Sequence, residues 1–209
     1  MSARAEILSR VRRAQLAGDT PGREPTPREY RRAGIGVPTT DELVALLTDR
    51  LLDYKAGVTP ATEADAAQVI TSVLARHRAR TVVLPDGLPA LLAPTAVKLV
   101  RDAPPLSASA LDEIDAVVTT SAVAIAETGT IVLDAGPGMG RRALTLVVDL
   151  HVVVVLRDDV VRGVPEALTR LEPMRPLTWI SGPSATSDIE LNRVEGVHGP
   201  RRLEVVVVG

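Results

Sequence analysis

The sequence contains no cysteine among its 209 residues. This absence excludes a disulfide framework, a thiolate nucleophile and an iron–sulfur cluster held by thiolates of this chain. Any redox centre that serves the protein must therefore come from another molecule. We expect no cofactor bound covalently or through cysteine.

Aromatic residues are also scarce, at 1% of the chain: Tyr30, Tyr54 and Trp179. This scarcity weakens the case for base stacking or for a flavin held between rings. The formal net charge is −2 and the pI is near 6.0, whereas dedicated nucleic-acid binders normally carry a basic face. We therefore expect no nucleic-acid partner.

Long apolar runs are missing as well. The runs at 152–156 and 205–208 are far shorter than the roughly 20 residues that a membrane-spanning helix needs. Near the N-terminus, Glu6, Arg10 and Arg12 interrupt any apolar core that an export signal would require. The sequence thus predicts no membrane span and a cytoplasmic location.

Two regions differ in composition. Residues 2–17 have helical spacing, and residues 18–38 are rich in proline, glycine and charge. We predict a peripheral N-terminal helix and linker over residues 1–38, followed by one α/β domain over residues 39–209. Thr39, Thr40 and Asp41 offer caps for the first helix of that domain.

From residue 39 onward, helical and strand patterns alternate, which favours a mostly parallel sheet flanked by helices. The predicted helices cover 64–77 and 108–113. The predicted strands cover 81–84, 97–100, 117–119, 123–126, 131–133, 152–156, 177–180 and 203–208. The near-continuous valines indicate strands buried on both faces, and we expect the last two strands to be interior ones.

The segment between the last two strands is unusually polar. Gly182 and Pro183 predict a turn, and Ser184 or Thr186 is suited to cap a helix that begins near Asp188. Exposed N–H groups at such a helix start attract anions. Alternatively, these side chains only order a surface turn, and both interpretations remain open.

A carboxylate follows the strand predicted at 123–126. Glu127 precedes Gly129, which allows a tight turn into the next strand. At a strand end, Glu127 can face a pocket and serve as a nucleophile or base. The alternative is that Glu127 and Thr128 satisfy backbone donors of the turn.

The glycine-rich run at 136–142 satisfies neither the Walker pattern nor the dinucleotide fingerprint. Its last residues, Arg141 and Arg142, form guanidinium forks that match a carboxylate or phosphate in two hydrogen bonds. Anion binding and a solvated turn are the competing interpretations.

The histidines are His77, His151 and His198, and no pair has metal-ligand spacing, so we expect no metal site. His151 leads a strand and is assigned a structural role. His198, flanked by Gly196 and Gly199, is the best candidate for a functional histidine, although a turn-stabilising role is equally compatible with its position.

Two motifs resemble those of a known family. The run Ile-Ser-Gly-Pro-Ser-x-Thr-x-Asp-Ile-Glu at 180–190, followed by Gly-Val-His-Gly-Pro at 196–200, resembles the C-terminal signature of the lactate-utilisation protein C family, which carries the LUD domain. The run Ala-Glu-Thr-Gly-Thr at 126–130 resembles a second segment of that family. The resemblance implies the NagB/RpiA/CoA transferase-like fold, shared by glucosamine-phosphate deaminase, ribose-phosphate isomerase and CoA transferases.

The resemblance also implies a function. Members of the family act with iron–sulfur proteins that convert L-lactate to pyruvate, so these proteins are the expected partners. This chain would be the component without a cluster, binding a small carboxylate or an unidentified anionic cofactor. A stand-alone acyl/CoA transferase-like or nucleotide-using cyclo-ligase-like enzyme, and a subunit that scaffolds iron–sulfur partners, remain alternatives. The oligomeric state is left open.

We predict that the candidate residues converge on one cleft. Glu127 and His198 are the candidate catalytic residues. The candidate ligand-binding residues are Thr128, Gly129, Thr130, Arg141, Arg142, Gly182, Ser184, Thr186, Asp188 and Glu190.

Overall fold

The computed structural model describes residues 2–18, 27, 36, 38–187, 193–195 and 199–209. The chain divides into two compact units, Met1–Tyr30 and Arg31–Gly209. In the first unit, helix α1 covers Ala3–Ala17, and the Ser2 hydroxyl caps it by accepting a hydrogen bond from the Ala5 N–H. This confirms the predicted N-terminal helix. The domain boundary at residue 38 stays a prediction.

Helix α2, Thr40–Asp53, opens the second unit with a capping box. The Thr39 hydroxyl accepts from the Glu42 N–H at 3.3 Å, and the Glu42 carboxylate accepts from the Thr39 N–H at 2.8 Å. These two bonds satisfy donors that the first turn of a helix leaves unpaired. Leu47 and Leu51, one turn apart, are fully buried and attach the helix to the core.

Replacing Thr39 with alanine is expected to lower the free energy of unfolding by about 1 kcal/mol, because the Glu42 N–H loses its acceptor. Urea denaturation followed by circular dichroism measures this change. Thr40→Ala is the matched control, since the Thr40 side chain makes no capping bond within the described residues. Equal losses in the two variants would show that the cap contributes nothing specific.

The helices and strands of the second unit follow in alternation. Beyond α2, the helices in its described part are α3 (Ala66–Arg76), α4 (Ala108–Asp112), α5 (Leu144–Val147) and α6 (Val164–Arg170). The strands there are β1 (Gly57–Ala61), β2 (Thr81–Leu84), β3 (Lys98–Arg101), β4 (Ala116–Thr120), β5 (Val123–Ile125), β6 (Thr130–Leu133), β7 (Leu150–Leu156), β8 (Val160–Val161), β9 (Thr178–Ile180), β10 (Ala185–Ser187), β11 (Arg193–Glu195) and β12 (Arg202–Val208). Short 3-10 helices cover Ala90–Leu92 and Arg157–Asp159.

A six-stranded parallel sheet with the order β1-β12-β7-β4-β2-β3 forms the centre of the unit. Strands β7 and β12 pair along their whole length, with Leu150 opposite Arg202 and Leu156 opposite Val208. Helix α3 packs on one face, whereas α2, α4 and α5 pack on the other. The predicted α/β class, with a mostly parallel sheet flanked by helices, is confirmed.

The valines of β7 explain why its sequence is continuously apolar. Val152 and Val154 belong to the core cluster that contains Ile70 of α3. Val153 and Val155 belong to the cluster that contains Leu51 of α2. Because side chains alternate between the faces of a strand, a sheet covered on both sides needs apolar residues at every position.

A second sheet corrects part of the sequence prediction. Strands β8, β5, β6 and β9 form a four-stranded sheet in which β6 runs antiparallel to both β5 and β9. The turn at 126–129, with Gly129 at a φ of 60°, reverses the chain and places β6 beside β5 instead of in the parallel sheet. The interior position predicted for β12 is confirmed. That predicted for β9 is wrong, because β9 is an edge strand whose Trp179 is 40% exposed.

The polar segment after β9 also differs from its prediction. Strand β10 pairs antiparallel with β11, with Thr186 opposite Val194. Thr186 therefore lies within a strand, and its role as a helix cap stays a prediction. The helix start predicted near Asp188 falls outside the described residues.

Candidate functional site

The parallel sheet has a topological switch point between β2 and β4. From β2 the chain continues to β3 on one side, while β4 lies on the other side and borders β7. Crevices at the carboxyl ends of strands at such points are common ligand sites in α/β sheets. A pocket of about 500 Å³ opens there, which we call the switch-point pocket. Its walls include Pro85, Asp86, Gly87, Asp102, Gly136, Pro137, Gly140 and Arg141.

The glycine-rich loop at 136–140 forms one wall of this pocket. Gly138 has a φ of +75°, and a Cβ at this position would lie 2.7 Å from Oγ1 of Thr120, so a side chain would clash there. The Gly138 N–H donates to the Asp86 carbonyl at 2.8 Å, which holds the loop on the end of β2. Four peptide N–H groups of the loop donate hydrogen bonds to acceptors within the protein, namely those of Gly136, Gly138, Met139 and Gly140. The loop therefore does not present these groups to a phosphate.

Arg141 was predicted to clamp an anionic ligand, but its guanidinium is held within the protein. Nε and Nη2 donate to the two carboxylate oxygens of Asp102 at 2.6 and 2.9 Å, and Nη2 also donates to the Leu106 carbonyl at 2.6 Å. The hydrogen bond from Arg141 is the main reason why the pKa of Asp102 lies below its ordinary value. Arg141 thus braces the loop against the segment after β3, and two of its guanidinium nitrogens are already bound within the protein.

Arg142, by contrast, is exposed and available. It lines a small cavity of about 180 Å³, next to Arg141, and a larger one of about 270 Å³. Its guanidinium makes no hydrogen bond or ion pair within the part of the chain that the structure describes. Of the two predicted arginines, Arg142 is the one that a ligand can use.

The larger cavity contains the predicted serine segment, and we call it the serine cavity. The Ser184 N–H donates to the Pro200 carbonyl at 2.8 Å, which joins the segment to the chain just before β12. Gly182 has a φ of +84° and lies so close to Tyr54 that a Cβ would approach the Tyr54 Cβ to 2.6 Å. The lining residues are Arg142, Thr145, Leu146, His151, Thr178, Trp179, Ile180, Ser181, Gly182, Pro183, Ser184, Gly199, Pro200 and Leu203.

A chain of hydroxyl groups connects the serine segment to the turn after β5. The Thr128 and Thr130 hydroxyl oxygens are 2.7 Å apart, and that of Thr130 is 2.8 Å from the Ser181 hydroxyl oxygen. The two motifs that the sequence singled out therefore meet in the fold. They meet through their hydroxyl groups and not through the carboxylate of Glu127.

Glu127 lies in a different place from the one predicted. Its side chain is 48% exposed, and its carboxylate accepts a hydrogen bond from Arg162 Nε at 2.8 Å. It lines a separate pocket with Arg162, Glu42, Leu43 and Leu46. The prediction that Glu127 shares a cleft with Ser184 is wrong, because the turn holds its carboxylate against Arg162.

His151 is the functional candidate that sequence reasoning missed. It is 1% exposed on the central strand β7, and it lines the serine cavity. Nε2 lies 2.8 Å from the hydroxyl oxygen of Thr119, which is itself fully buried. Burial lowers the pKa of His151 to about 3, so the imidazole is neutral at physiological pH. The sequence did contain a signal for His151, because an imidazole directly before a run of valines is expected to be buried. A buried polar group needs hydrogen-bond partners.

Several predicted site residues have no described side chain. Asp188, Glu190 and His198 fall outside the described residues. Thr186 lies in β10, where only the backbone is described. Their predicted roles in binding and catalysis stay predictions.

Neither a metal site nor a membrane-spanning helix is present among the described residues. Within them, no group of three or more histidine, aspartate or glutamate side chains is placed to hold a metal ion. Within the same part of the chain, no helix combines the length and the apolar character needed to cross a membrane. The cytoplasmic location stays a prediction.

The fold and the site define an α/β protein with a parallel sheet and a second, four-stranded sheet. Arg141 and Arg142 follow its glycine-rich loop and line three cavities. Residues 37–208 match the model of the LUD domain family. The chain belongs to this family.

Individual relatives extend the match to nearly the whole chain. It is 45% identical over 214 residues to Lactate utilization protein C of Deinococcus radiodurans, covering 99% of this chain and 96% of that protein. It is 27% identical over 194 residues to Lactate utilization protein C of Halalkalibacterium halodurans, covering 81% of this chain and 80% of that protein. The crystal structure of a DUF162 family protein from Deinococcus radiodurans is similar with a TM-score of 0.72 at 42% identity, covering 83% of this chain and 100% of that one.

Proposed function

We propose that this protein acts in lactate utilization as a component without an iron–sulfur cluster, and that it binds a small carboxylate in the serine cavity. Family membership and the 45% identity to a Lactate utilization protein C support the role in lactate utilization. One observation carries the binding site: Arg142 lines the cavity, and its guanidinium has no partner within the described residues.

The chemistry of the cavity suits a small acid. A guanidinium fork matches the two oxygens of a carboxylate, and such charge-assisted bonds are among the stronger ones in proteins. Ser181 and Ser184 add polar side chains to the same walls. The volume of about 270 Å³ lies just below the about 300–1,000 Å³ typical of sites for drug-sized ligands. The cavity therefore favours a molecule of the size of lactate over a large cofactor.

The composition supports partner proteins. Oxidation of L-lactate to pyruvate removes two electrons, which an acceptor must take up. This chain has no cysteine and so offers no thiolate to hold a cluster. We therefore propose that iron–sulfur proteins of the lactate system accept the electrons and associate with this protein.

Replacing Arg142 with glutamine is expected to weaken the binding of L-lactate and of pyruvate about tenfold, because a charge-assisted hydrogen bond contributes about 1.5–3 kcal/mol. Isothermal titration calorimetry of the purified full-length protein measures both affinities. The same variant is expected to slow the growth on L-lactate of cells that depend on this protein.

Arg78→Gln is the matched control for this experiment. Arg78 is an exposed arginine that follows α3 and does not line the serine cavity. Its removal changes the net charge by the same amount and should leave both affinities unchanged. If the two variants bind equally well, or if the wild-type protein binds neither acid, the proposed carboxylate site is wrong.

A further inference from the structure

His151 is a buried polar side chain of the serine cavity that the proposed contact with a carboxylate does not use. Its neighbours in the parallel sheet are Val117 of β4 and Leu203 of β12, both of them buried. Burying a polar ring among such residues costs free energy unless its nitrogens find partners. The two nitrogens of this ring differ in this respect.

One ring nitrogen of His151 has a hydrogen-bond partner, and the other has none within the described residues. Nε2 lies 2.8 Å from the Thr119 hydroxyl oxygen. Nδ1 makes no hydrogen bond within the described residues. Among those residues, however, no fully buried side-chain nitrogen or oxygen lacks a partner. Nδ1 is therefore not sealed in the core, and the serine cavity is the space that His151 lines.

A neutral imidazole in this position is suited to an uncharged oxygen. Each tautomer offers one donor and one acceptor. If Nε2 accepts the proton of Thr119, Nδ1 donates, which suits a carbonyl oxygen. If Nε2 donates to Thr119, Nδ1 accepts, which suits a hydroxyl group. Since the Thr119 hydroxyl can rotate to match either tautomer, the pair serves both a 2-hydroxy acid and the corresponding 2-oxo acid.

We infer that the serine cavity selects carboxylates that carry an oxygen on carbon 2, with His151 Nδ1 hydrogen-bonded to that oxygen and Arg142 bound to the carboxylate. This inference rests on the proposed function, because it assumes that a small carboxylate enters this cavity. It adds a specificity-determining residue and a substrate class. Arg142 provides affinity for any small acid, whereas His151 distinguishes among such acids.

Propionate provides the critical comparison, because it is lactate without the hydroxyl group. A site built to hydrogen-bond a substrate oxygen rejects the analogue that lacks it, since a buried polar atom is then left unpaired. We expect the wild-type protein to bind L-lactate about tenfold more tightly than propionate. Isothermal titration calorimetry with L-lactate, pyruvate and propionate measures this ratio.

Two variants separate the contributions of His151 and Arg142 to binding. His151→Leu keeps a side chain of similar size but removes both ring nitrogens. Its affinity for L-lactate should fall about tenfold, whereas its affinity for propionate should not change. The variant should therefore bind the two acids equally well. Arg142→Gln should weaken the binding of both acids by a similar factor and leave the ratio of the two affinities unchanged. If His151→Leu does not fold, the double variant Thr119→Val/His151→Leu takes its place, because replacing both partners by apolar groups leaves neither one unsatisfied.

The ring nitrogens can also be observed without any substitution. With three histidines in the chain, the imidazole ¹⁵N spectrum is simple enough to assign. Addition of L-lactate should shift Nδ1 of His151, and propionate should not. Equal binding of lactate and propionate by the wild-type protein, together with weaker binding of both by Arg142→Gln, would overturn the inference and retain the proposed function. If no small acid binds, both are wrong.

Discussion

Replacing Asp102 with alanine is expected to lower the free energy of unfolding by about 3 kcal/mol. The Asp102 side chain is 10% exposed, and it accepts hydrogen bonds from Arg141 and from the Leu106 N–H. Without the carboxylate, a guanidinium that is 37% exposed loses its partner, and a backbone donor is left unsatisfied. Urea denaturation at neutral pH measures the change.

Asp86→Ala is the control for this substitution. Asp86 lines the same switch-point pocket, but its ion pair with Arg101 is long, at 3.7 Å, and both side chains are 75% exposed. Removing an exposed ion pair of this kind should cost less than about 1 kcal/mol. If Asp102→Ala costs no more than Asp86→Ala, Arg141 does not brace the loop as described.

Acidification from pH 7 to pH 5 is expected to remove about 2 kcal/mol of stability through His151 alone, because one pKa unit corresponds to about 1.36 kcal/mol. Burial lowers the pKa of His151 from 6.5 in the unfolded chain to about 3 in the folded protein. Between these values the unfolded state binds a proton that the folded state does not, so stability falls as the pH falls.

Urea denaturation at the two pH values, on the wild type and on His151→Leu, isolates this contribution. The variant has no imidazole at this position, so its stability should change by about 2 kcal/mol less than that of the wild type over this interval. The pKa values of Asp102 and Asp115 are lowered from 3.8, so their contributions are lost at more acidic pH. The same pH dependence in both proteins would show that His151 is not the buried group responsible.

The central strands of the parallel sheet and one of its edge strands, β3, could be predicted from the sequence, whereas the other edge strand, β1, could not. Strands β7 and β12 are read from their valines, because burial on both faces demands apolar residues at every position. Strand β1 was missed, since Gly57 and Pro60 are typical of turns. It is an edge strand of the parallel sheet and pairs only with β12 among the described residues, and proline is tolerated in such a strand.

The candidate site was also predicted only in part from the sequence. The sequence singled out the serine segment and Arg142, and these line one cavity. It placed Glu127 with them, although the turn directs that carboxylate to Arg162. It missed Asp102, because the bond that gives this residue its role joins it to Arg141, 39 positions away. No local pattern encodes such a pairing.

The sequence by itself determined the α/β class, the central strands of the parallel sheet and the family of this protein. The reason is that burial periodicity and short motifs are local properties of the chain. Only the tertiary structure decided which polar side chains share a cavity and which neutralise each other. Arg141 and Arg142 are neighbours in the sequence, yet one is bound to Asp102 and the other is available to a ligand. That difference depends on which distant side chains the fold brings within hydrogen-bonding distance.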